Sequence, residues 1–280
     1  MKFSIFALSA LPFASVAAAV HSIAFEKPDV ASAAHASAED NFPMAAREIS
    51  SSGATVSVIL GNQKQNVGEL TGKDLYDKIH AALYKICAVD DTGLCSAYNT
   101  AKIDHVAYKT KTSVGTRGGH LEISVRQTGW APFPNPGLKK ALIETVAATF
   151  SKGSEDQKNC ADAKQFICGF RGQCTYNKTY HLCNVGDKVT VEIPGTPVRM
   201  DVELRFKARD DLGDGRHTPF GKFDCFATLE ATEKSLKGRL PAFAEGIHRD
   251  KVSSAVKCTS NDITSADPSN ADGFLRRHLR

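Results

Sequence analysis

The stretch KVTVEIPGTPVRMDVELRFK, residues 188–207, is a β-hairpin legible in the alternation of its side chains. Val189, Val191 and Ile193 recur at every second position, Pro194-Gly195-Thr196-Pro197 supplies a turn, and Val198, Met200, Val202, Leu204 and Phe206 alternate again. Successive side chains of a strand point to opposite faces, so a period of two predicts one apolar and one polar face. The polar face of the second strand would carry Arg199, Asp201, Glu203, Arg205 and Lys207. Mixed-sign charge of this kind is the pattern of a solvated sheet face that resists aggregation. Such a hairpin needs a covering layer on one side only.

The flanking sequence predicts that layer. Thr55 to Leu60 (TVSVIL) is β-rich and stops at the turn pair Gly61-Asn62. Thr71-Gly72-Lys73-Asp74 has the spacing of a capping box, with Asp in place of Glu. Behind it, Leu75, Ile79, Leu83 and Ile86 form the stripe of an amphipathic helix. A strand is expected over Ile103 to Thr110. In the next, Leu121, Ile123 and Val125 alternate with His120, Glu122, Ser124 and Arg126, and Gly115 and Gly118-Gly119 mark the turn between the two. Asn135-Pro136 reads as an N-cap with Pro at the first helical position, ahead of the stripe Leu138, Leu142, Val146 and Phe150. Further on, Phe223 to Leu229 reads as a strand, Thr232 to Glu245 as a helix bent at Pro241, and Val252 to Cys258 as a last strand. This order predicts an α+β fold: antiparallel sheet(s) with two to three helices packed on one face, stapled by disulfides.

Eight cysteines, Cys87, Cys95, Cys160, Cys168, Cys174, Cys183, Cys225 and Cys258, make an even set, as expected where every thiol finds a partner in an oxidising compartment. Proximity in sequence suggests the pairs Cys87–Cys95, Cys160–Cys168, Cys174–Cys183 and Cys225–Cys258. Cys160 to Cys183 shows little periodicity and reads as a loop-rich clamp, where two sub-domains of a body spanning 53–258 could meet near 160–185.

The N-terminus fits that compartment. Lys2 precedes the apolar run FSIFALSALPF (3–13), and Ser15-Val16-Ala17-Ala18-Ala19 offers small residues at a cleavage site. This is the layout of a signal peptide over residues 1–19, and the run is shorter than the roughly 20 residues a membrane span needs. Residues 20–52 are rich in Ala and Ser and read as a disordered leader or pro-segment, and 259–280 as a polar tail. Asn177-Lys178-Thr179 is an N-glycosylation sequon. The formal charge of +4 permits an acidic partner and demands none.

Candidate chemistry is sparse. Cys160, Cys168, Cys174, His181 and Cys183 lie close together but lack the tight pairs of zinc sites, so no metal and no cofactor is expected. Asp210 to Gly221 reads as a polar, Gly-rich loop, and its acidic part Asp210 to Gly215 lacks the alternate-oxygen spacing of a calcium loop. No nucleophile elbow, H-E-x-x-H or P-loop is present. Trp130, ahead of a Pro-rich turn, reads as a packing anchor. The period-two geometry does gather His120, Glu122 and Arg126 on one strand face, with His105 on the neighbouring strand. A base, an acid and a guanidinium so placed could cleave RNA, the guanidinium steadying the phosphorane charge.

The arrangement of signal peptide, Ala/Ser-rich leader and Cys-bridged body resembles the secreted effector and killer-toxin-type proteins of fungi. The resemblance implies a secreted, extracellular interaction protein, acting in virulence or competition, whose partner is a host or competitor component. The order of helix then sheet, with Glu122 and Arg126 on a strand, is loosely similar to small secreted fungal ribonucleases. That likeness implies the alternative, a secreted ribonuclease or other hydrolase, for which the partner is nucleic acid.

Overall fold

The computed structural model describes residues 53–87, 94–109, 116–130, 136–169, 172–208 and 220–259. The signal peptide, the leader, Asn135, nearly all of Asp210 to Gly221 and the tail beyond Thr259 lie outside them.

The chain runs β1 (Ala54–Leu60), β2 (Lys64–Gly68), α1 (Gly72–Ile86), β3 (Thr100–Tyr108), β4 (Arg117–Gly129) and α2 (Pro136–Glu155). There follow β5 (Cys160–Cys168), β6 (Cys174–Gly186), β7 (Lys188–Glu192), β8 (Arg199–Ala208), α3 (Cys225–Lys237), α4 (Leu240–Gly246) and β9 (Val252–Cys258). The β7–β8 hairpin pairs Val189 with Val202 and Val191 with Met200. Its turn is closed by Ile193 N–H donating to Val198 O at 3.0 Å, with Gly195 at a φ of 78° that a side chain would disfavour.

Around this hairpin a six-stranded sheet forms in the order β3-β4-β8-β7-β1-β9. Every pairing is antiparallel except β1–β9. The exception has a topological cause. From β8 the chain crosses by way of α3 and α4, and a helical crossover returns the next strand in the direction of the last. The sheet is therefore mixed rather than wholly antiparallel, and the described residues form four α-helices where two to three were expected.

The apolar face of the sheet is the core. Leu121, Ile123, Val125, Val189, Val191, Met200, Val202 and Leu204 are buried there, together with the whole α1 stripe Leu75, Ile79, Leu83 and Ile86. Each such side chain contributes about 1.5–3 kcal/mol by leaving water. Helix α2 packs against α1, α3 and α4, and so buries much more than its stripe of Leu138, Leu142, Val146 and Phe150. The hydroxyls this buries turn back on the helix: Thr145 Oγ1 donates to Ala141 O at 2.7 Å and Thr149 Oγ1 to Thr145 O at 2.8 Å. Trp130 is buried, with the Lys139 ammonium 5.8 Å from its ring centre.

Four local expectations are corrected. The Cys160 to Cys183 stretch is not a loop but the β5–β6 ribbon, which β2 completes into a second sheet of order β2-β6-β5. Its register places Cys160 opposite Cys183 and Cys168 opposite Cys174, and those are the disulfides. Cys87–Cys95 and Cys225–Cys258 pair as proximity suggests. Residues 225–229 open α3 rather than a strand, because the Asp224 carboxylate caps the helix by accepting from the N–H groups of Phe226 at 3.0 Å and Ala227 at 3.3 Å. The break that follows lies at Gly238-Arg239, with Pro241 in the first turn of α4. The capping box also fails to close: Thr71 stands at the N-cap without a side-chain bond, and Gly72 N–H donates instead to Ser154 Oγ at 3.1 Å.

Candidate functional site

Strand β4 presents His120, Glu122 and Ser124 on the sheet's polar face, opposite Lys207, Arg205 and Glu203 of β8. His120 Nε2 lies 3.4 Å from Glu122 Oε1, and Lys102 Nζ of β3 lies 3.8 Å from the same oxygen. Arg126 reaches the same face but is engaged by Glu203. The register shifts between Val125 and Gln127, leaving Arg126 as the extra residue of a β-bulge. Its guanidinium pairs with Glu203, as does that of Arg205. Burial pushes the Glu203 carboxyl up, but hydrogen bonds and charge from Arg205 and Arg126 outweigh it and hold the group below the usual range. Alongside, Arg199 pairs with Glu192 at 2.7 Å and with Asp201 at 3.0 Å, and Lys188 reaches Asp201 at 3.5 Å. The structure thus brings His120 and Glu122 together and commits Arg126 to a charge ladder on the next strand.

His105 has an unusual place. The β3–β4 register runs Ile103 to Leu121 and then Val106 to Gly119, so Asp104 and His105 together oppose His120. His105 sits at this bulge with a φ of 63°, a left-handed conformation uncommon outside glycine. Both histidines are therefore at one point of the sheet, on adjacent strands. A His–carboxylate pair can take and return a proton there.

The β5–β6 ribbon is the other feature of note. Its inner end is anchored: Ala163, Leu182 and Cys183 are fully buried. Its outer half leaves the body, and both faces meet solvent. Phe166 is 38% exposed, Ile167 56% and Tyr176 57%: Phe166 and Tyr176 are cross-strand partners on one face, and Ile167 stands on the other. The Phe166 and Tyr176 rings meet edge to face at 6.2 Å. Cross-strand disulfides bracket the ribbon at base and tip. Between them the register shifts past Asn177, leaving the sequon asparagine exposed as the extra residue of a bulge. Tyr176 and Thr179 share a hydroxyl hydrogen bond of 2.9 Å beside it.

The cysteines here hold no metal in this arrangement. The donor atoms of Cys160, His181 and Cys183 lie within 4.8 Å of one another, but both sulfurs are spent in the disulfide and are not thiolates. His181 Nδ1 bonds instead to Asp162 Oδ1 at 2.9 Å.

Sequence reasoning missed the ribbon's exposed apolar side chains. The available signal was the disposition of Phe166, Ile167 and Tyr176 between two cysteines on each strand. It stayed hidden because a ribbon wet on both faces has no hydrophobic period to read. Comparison of the chain with family models, with curated proteins and with solved structures finds no match in any of the three.

Proposed function

We propose that this chain is a secreted, non-enzymatic interaction protein, effector- or toxin-like, which binds a host or competitor protein outside the cell through the β5–β6 ribbon. The observation that carries the reading is Phe166, Ile167 and Tyr176 exposed on a ribbon whose two ends are covalently pinned. Large apolar and aromatic side chains dominate protein interfaces, and a ribbon already fixed in shape loses less freedom on binding than a loop does. Secretion is supported by the signal-like N-terminus and by four disulfides; no described helix is long and apolar enough to cross a membrane. A glycan on Asn177 belongs to the same reading, since the residue is exposed.

The test uses the labelled, oxidised protein on intact target cells. Saturable binding that unlabelled wild type displaces, and that Ile167→Lys/Tyr176→Lys displaces at least about tenfold less well, supports the ribbon as the contact. Equal displacement by the charged variant overturns it.

One observation favours a second reading. His105 and His120 occupy one bulge on adjacent strands, with Glu122 beside His120, and bulges and left-handed residues cluster at active sites. A secreted ribonuclease would use His120 and Glu122 as base and acid, and Arg126 would have to leave Glu203 to meet a phosphate.

A further inference from the structure

We propose that an extended acidic peptide segment binds by strand addition along the free edge of β3, in the groove between β3 and α1. Strand β3 ends the six-stranded sheet, so one row of its backbone donors and acceptors has no strand beside it. Only its far end is covered. There Asn66 Nδ2 donates to Ala107 O at 2.9 Å, and Gly68 lies so close that a Cβ would stand 2.7 Å from that oxygen. Among the described residues no strand but β4 lies beside Thr100 to Ile103, and the bulge at Asp104-His105 sets the limit of any pairing.

The opposite wall is helix α1, and between the two lies a groove of about 550 Å³. Lys78, Ala81, Ala82 and Lys85 line it, recurring on one helix face. The two alanines leave room for a backbone to approach, and the two lysines stand at either end. Among the described residues neither Lys78 nor Lys85 forms a salt bridge. On the strand side stand His105, Asp104 and Lys102, the last reaching Glu122 of β4 at 3.8 Å, so the two lysines of α1 set the charge of the groove. An edge strand facing a helix across a groove is the geometry by which sheets take up extended peptides, backbone bonds giving affinity and side-chain sites giving selectivity.

Charge then selects the occupant. Lys78 and Lys85 are seven residues apart, about 10 Å along the helix. Alternate side chains of an extended peptide are spaced by about 7 Å, and lysine side chains span the difference. A peptide with acidic residues at alternate positions therefore meets both. Binding here is independent of the ribbon and can fail or succeed without it.

The experiment follows the fluorescence anisotropy of a labelled (Glu-Val)4 peptide titrated with the oxidised protein. Saturable binding is expected. It should weaken by about tenfold or more in Lys78→Glu/Lys85→Glu, and for the same peptide N-methylated at alternate residues, which removes the strand's own donors. A (Lys-Val)4 peptide should not bind. Ala81→Trp, at an exposed helix position, fills the groove without touching the core and should also abolish binding with an unchanged circular dichroism spectrum. The proposal is overturned by absence of binding, by undiminished binding of the N-methylated peptide, or by equal affinity in the lysine and Ala81 variants. Preference for a single-stranded RNA oligonucleotide over the peptide overturns it too. So does a sedimentation dimer that Ala81→Trp dissociates, which assigns the edge to a second copy.

Discussion

At the scale of single residues, Glu203 is the most informative position. Two arginines hold its carboxyl below the usual range despite burial, so its folded pKa lies below its unfolded one. Such a group contributes stability that is present above the unfolded pKa and lost as pH falls through the folded value. Glu203→Gln should therefore destabilise by about 1–2 kcal/mol at pH 7, as expected for a charge-assisted bond, and the gap should close below about pH 4. Chemical denaturation of both proteins at pH 7 and pH 3 checks this; an equal gap at both would show that packing, not charge, is lost. Gly61 tests a close approach instead. A Cβ there would stand 2.2 Å from Asp187 Oδ1 and 2.9 Å from Lys188 N, where β1 ends against β7. Gly61→Ala should cost about 1–3 kcal/mol in the same assay, the range for overpacking. Period two sufficed to place His120 beside Glu122. It could not show that Arg126 belongs to Glu203, because that depends on a bulge fixed by the cross-strand register and not by β4 alone.

Among the elements, the four disulfides divide by what they fasten. Cys225–Cys258 closes 33 residues and ties the edge strand β9 to α3, whereas Cys168–Cys174 closes 6 at the tip of the ribbon. By the chain-entropy model these are worth about 4 and about 2 kcal/mol. Cys225→Ala/Cys258→Ala should accordingly lower global stability by about 4 kcal/mol in denaturant. Cys168→Ser/Cys174→Ser should lose about half that at most and leave the sheet's hydrogen-exchange protection intact, while limited proteolysis newly cuts the ribbon tip. Uniform loss of protection in the second variant would show that the ribbon is part of the cooperative core. Helix α1 and the strands β4, β7 and β8 were legible because each shows the period of one buried face; α2 shows its stripe although its burial extends well beyond it, and β1 shows a β-rich run. Four elements were not. Strand β2 is short and polar, the outer half of β5 and β6 is wet on both faces, and α3 carries Phe226 in its first turn, whose strand propensity masks the cap at Asp224. The ribbon's disulfides were misread for the same reason: without the hairpin, proximity pairs Cys160 with Cys168, whereas antiparallel register pairs it with Cys183.

Over the whole molecule, the α+β class follows from the apolar face of residues 188–207 requiring cover on one side, and helices supply that cover. The parallel placing of β9 does not follow from any local pattern, since it rests on where α3 and α4 carry the chain. The sheet's other face is lined with paired charge and buries Ser57, Thr190 and Asp201 on β1, β7 and β8. On this account that face is structural framework, and partners are engaged at the ribbon and at the β3 edge. The most direct test is incubation of the oxidised, purified protein with single-stranded RNA between pH 5 and pH 8. The account predicts intact RNA throughout and no difference between wild type and His120→Ala. Cleavage by the wild type that His120→Ala abolishes would contradict it and make the polar face an active site.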